Sequence, residues 1–337
     1  MKITYYVHDL SFPLVEGIRK QAWLLAQEMK KLGHTVEIIS TSKRKGTDVK
    51  EGIVIRYDSS WGISDCQTDV LHYLSHPTPL IVPLLLRAKA KKQIMTIFGG
   101  ELHHFWKRSW DGVVSRLVKK NVSLIILQTH YQQKLLEKTR LRNIPTVLLP
   151  PLIPMVKRSA ERTAQPSLLF MSHLSPYKGI SEVLSAFEML RKDFFGIQLV
   201  IADSGIRRDE HIYQKITEMN RGDITLKKEV DPAEELSKTW VYLYPIQSAH
   251  ETFSVPLSFI EALQVGTPYI GTAVGGIPEY FPAEHLVTPA NVPELVEKIR
   301  LFLKERKTLE PLRQKIQDSE TMRQLQEIYE HDNTTTH

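Results

Sequence analysis

Lys178 stands immediately before Gly179, and the residues that follow, Ile180, Val183, Leu184, Phe187 and Leu190, recur at the spacing of one helical face. A lysine at a helix start can direct its ammonium at an anionic ligand such as a phosphate, in concert with the partial positive charge of the helix N-terminus. Gly17 stands in the same relation to an earlier run, Ile18, Ala22, Leu25, Met29 and Leu32, where the missing side chain lets the backbone approach a ligand. No Asp-x-Asp pair occurs in the chain, so a diphosphate site built on a metal chelated by such a pair is not indicated. The single cysteine, Cys66, excludes an intrachain disulfide and cannot by itself supply a thiolate zinc site.

The elements able to carry these groups are legible as alternating runs. Residues 3–7 read as an apolar strand, 11–17 as a loop, 18–32 as a helix stopped by Gly33, and 35–39 as a second strand. This β-α-β order implies a right-handed crossover in a parallel sheet. Further strands are expected at 53–56, 70–73, 93–98, 123–127 and 146–149, which completes one doubly wound α/β domain over residues 1–152. Pro150, Pro151 and Pro154 then break regular structure and mark a linker. The alternation resumes with strands at 167–171, 198–202, 241–245 and 269–272, a second Rossmann-like domain over 153–312. Ile316, Met322, Leu325 and Ile328 mark a last amphipathic helix at 313–331, and 332–337 is a polar tail expected to be disordered. Ligands of open parallel sheets sit beyond the carboxyl ends of the strands, so two such domains facing each other are expected to form a binding cleft.

With 337 residues, 42% of them apolar and 24% charged, the chain is globular in composition and long enough for two cores. No run approaches the ~18 apolar residues of a membrane span, and no secretory leader pattern opens the chain, so a cytoplasmic location is expected. The net charge of +6 is unevenly spread: residues 1–155 carry 23 Lys+Arg against 12 Asp+Glu, and the remainder 21 against 26. The first half is therefore expected either to attract an anionic ligand or the anionic inner face of a membrane, through runs at 87–92, 107–108 and 116–120, or to present solvated helix faces. These runs lack the aromatic interleaving of a nucleic-acid-binding motif, and nucleic acid is not an expected partner.

Six segments stand in an order that resembles a known family. They are Leu32-Gly33-His34-Thr35-Val36, Asp69-Val70-Leu71-His72, Leu174-Ser175-Pro176-Tyr177-Lys178-Gly179, His250-Glu251-Thr252-Phe253-Ser254 with Ile260-Glu261-Ala262-Leu263, Gly266-Thr267-Pro268, and Gly275-Gly276-Ile277-Pro278-Glu279. Across roughly residues 1–303 the chain resembles glycosyltransferase family four, the group 1 glycosyl transferases. The resemblance implies the GT-B fold: α/β, two Rossmann-like domains facing across a cleft, residues 1–152 binding the acceptor and 153–312 the nucleotide sugar, with the C-terminal helix returning to the first domain.

It also implies roles. Lys178 is similar to the family's lysine that contacts the donor diphosphate, and His173 stands where the family usually has an arginine on the same group. Histidine is a shorter and conditionally charged substitute there. Glu251 is similar to the acid that binds the donor's sugar hydroxyls, and Glu261 to the acid that holds its ribose. The family's two acids stand closer than the ten positions between Glu251 and Glu261. Either the loop has gained residues, the reading favoured by Thr252-Phe253-Ser254, or Phe253 occupies the register of the first acid. Glu16-Gly17 stands where the family often has two glycines, and Phe98 where it has a histidine, with His103 and His104 just beyond. Lys178 and Glu251 are thus the catalytic candidates, and His173, Glu261, Gly17, Ser254, Phe253, Gly99 and His103 the substrate-binding ones.

The activity implied is retaining, metal-independent transfer of a hexosyl group from a nucleotide-diphosphate sugar to a hydroxyl of a glycan, a lipid-linked acceptor or a small molecule. No cofactor beyond the donor substrate is expected, and the acceptor is left open, with anionic or membrane-associated molecules among those the charge favours. Two other readings share the fold: a catalytically impaired scaffold or partner subunit, which the departures at His173 and Phe98 suggest, and a sugar-nucleotide epimerase.

Overall fold

Apolar runs between helices become parallel strands because the crossover helices cover both faces of the sheet and leave its edge strands to meet water. In the computed structural model the chain divides into two compact units, Met1–Leu152 with Phe253–Val255 and Lys315–His337, and Ile153–Thr252 with Pro256–Gln314. The structure describes residues 1–14, 16–59, 61–62, 66–99, 111–153, 155–205, 208–219, 221–228, 230–310 and 315–331, without the side chains of 111, 251 and 315–319. The expected tail at 332–337 lies outside the described residues.

The first unit carries strands β1 (Lys2–His8), β2 (Thr35–Thr41), β3 (Gly46–Lys50), β4 (Ile53–Asp58), β5 (Gln67–Leu74), β6 (Lys89–Thr96), β7 (Leu124–Leu127) and β8 (Thr146–Leu148). Its helices are α1 (Gly17–Lys31), α2 (Val82–Arg87), α3 (Asp111–Asn121) and α4 (His130–Glu137). The sheet order is β3-β4-β2-β1-β5-β6-β7-β8. All pairs are parallel except β3 with β4. Side chains alternate across β1, so Ile3, Tyr5 and Val7 join the core under α1 while Tyr6 joins the core of the opposite face.

The second unit carries β9 (Ser167–Ser172), β10 (Gln198–Asp203), β11 (Ile224–Lys228), β12 (Val241–Tyr244), β13 (Tyr269–Thr272) and β14 (Leu286–Val287). Its helices are α5 (Ile180–Leu190), α6 (Glu210–Met219), α7 (Pro232–Lys238), α8 (Leu257–Val265), α9 (Ile277–Tyr280) and α10 (Val292–Lys304). The order β11-β10-β9-β12-β13-β14 runs outward in both directions from the pair β9 and β12, and every pair is parallel. This is the doubly wound order of dinucleotide-binding sheets. One face is packed by Ile180, Val183 and Phe187 of α5 together with Leu295 and Ile299 of α10. On α8, Phe259 stacks on Tyr269 at 4.6 Å and meets Tyr242 and Phe281 edge-on. Gly271 makes that close seating possible, since a Cβ there would lie 2.2 Å from the Phe259 ring.

The last helix, α11 (Lys315–Glu330), belongs to the first unit. Lys92 donates to the carbonyls of Ile328 and His331, which answers the unpaired C=O groups and negative pole of that helix end. Tyr329 from the same helix reaches His72 Nδ1 at 2.5 Å and donates to the Tyr5 hydroxyl at 3.2 Å, while His72 Nε2 meets Thr96 Oγ1 at 2.6 Å. Hydroxyls on both ring nitrogens satisfy a neutral imidazole, and burial holds His72 down to about 3 from an ordinary 6.5.

An acid dependence follows from that shift. The unfolded chain takes up a proton on His72 before the folded one does, so its contribution is complete above about pH 6.5 and is lost as the pH falls toward 3. Between pH 7 and about pH 5 the loss is expected to reach about 2 kcal/mol. Urea midpoints of the wild type and His72→Gln across that range check it: the variant is expected to show the shallower pH slope, and parallel slopes would remove the assignment.

Among the described residues no helix is long and apolar enough to cross a membrane. Cys66 is buried and burial pushes its thiol up, away from nucleophilic use.

Candidate functional site

The crossovers that follow β9 and β12 leave their strands on opposite sides, so the loops after these neighbours open a crevice at the carboxyl end of the sheet. The loop after β9 runs through His173 and Leu174 into a 3-10 turn, Pro176–Lys178, and then into α5. Gly179 forms the junction with φ 80°, a left-handed conformation that glycine adopts without strain. A Cβ at Gly179 would lie 1.9 Å from the carbonyl oxygen of Pro245, the first residue after β12, so the two loops are in backbone contact there. Gln247 N–H donates to Tyr177 O at 2.9 Å and ties them again.

Lys178 is buried at this meeting point, with its Nζ 5.8 Å from the ring centroid of Tyr244, the last residue of β12. A buried ammonium beside an aromatic face and ahead of a helix is a group placed for an anion. His173 Nδ1 is 2.5 Å from Ser204 Oγ in the loop after β10. Glu261 is buried on α8, whose seat is set by Phe259. Burial raises the Tyr242 hydroxyl well above its ordinary range, and the charge of Glu261 adds to the rise.

Asp203 and Arg208 escaped the reading of the sequence. Asp203 ends β10, is buried, and accepts from Arg208 Nε at 2.7 Å and from the Gly205 N–H at 3.0 Å. Arg208 in turn lies 4.2 Å over the Tyr213 ring. A fixed guanidinium therefore stands in the loop that also holds Ser204, the partner of His173. The local signal was confined to Asp203-Ser204-Gly205, a pattern that reads as an ordinary turn.

Other candidates fall elsewhere. Glu251 closes the turn Ala249–Glu251, where Ser248 Oγ accepts from His250 N–H, and its side chain lies outside the described residues. His103 and His104 also lie outside them. Phe253 and Ser254 are part of the first unit. There Phe253 bridges Gly99, Ser254 N–H donates to Phe98 O at 2.9 Å, and the Phe253 and Phe98 rings lie 5.6 Å apart. A Cβ at Gly17 would come 2.9 Å from Phe253, so the space left by that glycine is filled by this ring. The predicted residues thus fall into two groups: Lys178, His173 and Glu261 in the second unit, and Gly17, Gly99, Phe253 and Ser254 in the first. Among the described residues no three His, Cys, Asp or Glu side chains are grouped to hold a metal ion.

Residues 155–319 match the family described as Glycosyl transferases group 1. A search of curated proteins finds no significant match. Among solved structures the chain is similar to sucrose-phosphate synthase from Thermosynechococcus elongatus, with 16% identity, 90% of each chain covered and a TM-score of 0.69. It is also similar to Anabaena HepE in complex with UDP-glucose, with 13% identity, 90% of each chain covered and a TM-score of 0.72. A third similar structure is the pneumococcal O-GlcNAc transferase GtfA in complex with UDP and GlcNAc, at 12% identity, with 98% of this chain and 99% of that one covered and a TM-score of 0.71. Residues 155–319 are therefore similar to a glycosyl transferases group 1 domain, and the two parallel-sheet units have the α/β fold of GT-B glycosyltransferase structures.

Proposed function

We propose that this protein transfers a hexosyl group from a UDP-sugar to an acceptor hydroxyl with retention of configuration, using protein groups and no metal ion to hold the diphosphate. The observation that carries the reading is the buried Lys178 ammonium at the switch point between β9 and β12, ahead of α5 and beside Tyr244. Negative charge grows on the departing phosphate oxygen as the sugar bond breaks, and a fixed ammonium there stabilises the transition state more than the ground state. His173 and the helix N-terminus contribute further donors, and Glu261 accepts from the ribose hydroxyls of the donor. Glu251 is assigned to the sugar hydroxyls. The acceptor hydroxyl attacks from the face the nucleotide leaves, so the leaving phosphate takes its proton and no protein nucleophile is needed. UDP bound by HepE and by GtfA supports uridine as the donor base.

Binding of UDP is expected to raise the melting temperature of the full chain, because a ligand that binds only the folded state stabilises it by RT ln(1 + [L]/Kd), about 2.7 kcal/mol at a hundredfold excess over Kd. Thermal unfolding with UDP, GDP and ADP checks this. No shift with any nucleoside diphosphate would exclude the donor site, and a larger shift with GDP or ADP would change the base.

A further inference from the structure

Beyond the carboxyl ends of β1, β2 and β4 the first unit opens into a groove of about 1090 Å³. Its floor is apolar and aromatic: Leu10, Ile55 and Tyr57 are buried, and Phe12 is half-buried beside them. Its rim is cationic, with Lys43, Arg44, Lys45 and Lys50 all exposed along it. Lys50 Nζ stands 4.1 Å from the centroid of Phe12, and the Arg44 guanidinium 4.5 Å from that of Tyr57. Among the described residues the groove holds two carboxylates and both are engaged, Asp48 with Arg44 at 2.8 Å and Asp9 with Arg19 of α1 at 2.9 Å. Lys43 and Lys45 thus add positive charge that no described groove carboxylate answers.

Two cations of the run at 87–92 serve the fold, and the run at 107–108 lies outside the described residues. Lys91 pairs with Asp69 at 2.8 Å, and Lys92 holds the end of α11. The cations that rim the groove are Lys43-Arg44-Lys45 with Lys50, a cluster that local sequence does not distinguish from a solvated loop.

Resting on the glycosyltransferase reading, we infer that this groove receives the acceptor and that the acceptor is a polyanion, a glycan or polyol chain bearing phosphate or carboxylate groups. An open parallel sheet offers its ligand site at the carboxyl ends of its strands, and the donor groups occupy that edge of the second unit. The corresponding edge of the first unit is then the place for the other substrate. Aromatic rings on the floor take the C–H faces of a sugar or polyol chain, and the rim cations take its anions.

The test measures binding of three labelled probes of equal length to the full chain: a glycerol phosphate hexamer, a galacturonic acid hexamer and uncharged maltohexaose. At least one anionic probe is expected to bind about tenfold or more tightly than maltohexaose, and to lose that advantage in high salt, where the screening length falls to about 3 Å. Which anionic probe binds tells phosphate from carboxylate. The double variant Lys43→Glu, Lys45→Glu alters two exposed side chains and is expected to abolish the preference while UDP binding stays at the wild-type level. Equal affinity for charged and uncharged probes, or a preference untouched by the double variant, would overturn the assignment. UDP affinity measured in parallel separates the two ideas: a chain that selects polyanions through these lysines but ignores nucleotides keeps the groove and loses the donor reading.

Discussion

Lys178→Met is expected to slow UDP release from a UDP-sugar by a factor of about 10²–10³, a loss of about 3–4 kcal/mol of transition-state stabilisation. Methionine keeps much of the length of the buried stem and removes the charge, so packing beside Tyr244 is largely retained. With the volume of the stem largely conserved, the second unit is expected to stay folded. The comparison to make is between turnover and nucleotide affinity. A group that acts on charge developing at the phosphate affects turnover more than ground-state binding, so UDP affinity should fall by the smaller factor. Turnover within a few-fold of wild type, with the variant folded, would remove Lys178 from the chemistry and with it the main support for the reaction.

Gly179→Ala is expected to destabilise the second unit by about 2–5 kcal/mol, the sum of a left-handed backbone penalty and an overpacking penalty. The new methyl group would meet the Pro245 carbonyl oxygen at 1.9 Å and its carbon at 2.7 Å, backbone atoms that cannot turn aside as a flexible side chain does. Gly33→Ala is the control: Gly33 has φ 85° but nothing within 4 Å of an added Cβ, so it carries the conformational cost alone, about 1–2 kcal/mol. Chemical denaturation of both variants separates the two costs. Equal destabilisation would mean that the loops after β9 and β12 do not press together as described. Any remaining folded Gly179→Ala protein should bind UDP weakly, because the shift needed to admit the methyl group moves Lys178.

Much of this arrangement was visible beforehand, and the omissions share a cause. Central strands such as β1 and β9 are covered on both faces, so they appear as continuous apolar runs, and their positions were expected to within a few residues. The strands that escaped were β3, β11 and β14. Gly46–Lys50 is a largely exposed sheet edge, Ile224–Lys228 is an edge with only Ile224 and Leu226 apolar, and the third has only two residues, so none makes an apolar run long enough to read. Lys178 was legible because its setting is local, a lysine, a glycine and an amphipathic helix in succession. The membership of Phe253–Val255 in the first unit was not, since it depends on a pairing with Gly99 that spans more than 150 positions. The Asp203 and Arg208 pair was missed for a related reason: two common residue types become a fixed cation only when a strand end buries the carboxylate.

The closure of the first unit by α11 has a consequence for how the chain is made. Tyr5 and His72 emerge from the ribosome early, yet the hydroxyl that bridges them and the apolar residues Met322, Leu325 and Tyr329 that complete their core arrive only with the final segment. The amino-terminal half must therefore wait, incompletely packed, through the synthesis of the second unit, whose own strands and helices all fall between residues 153 and 314 and can consolidate as they appear.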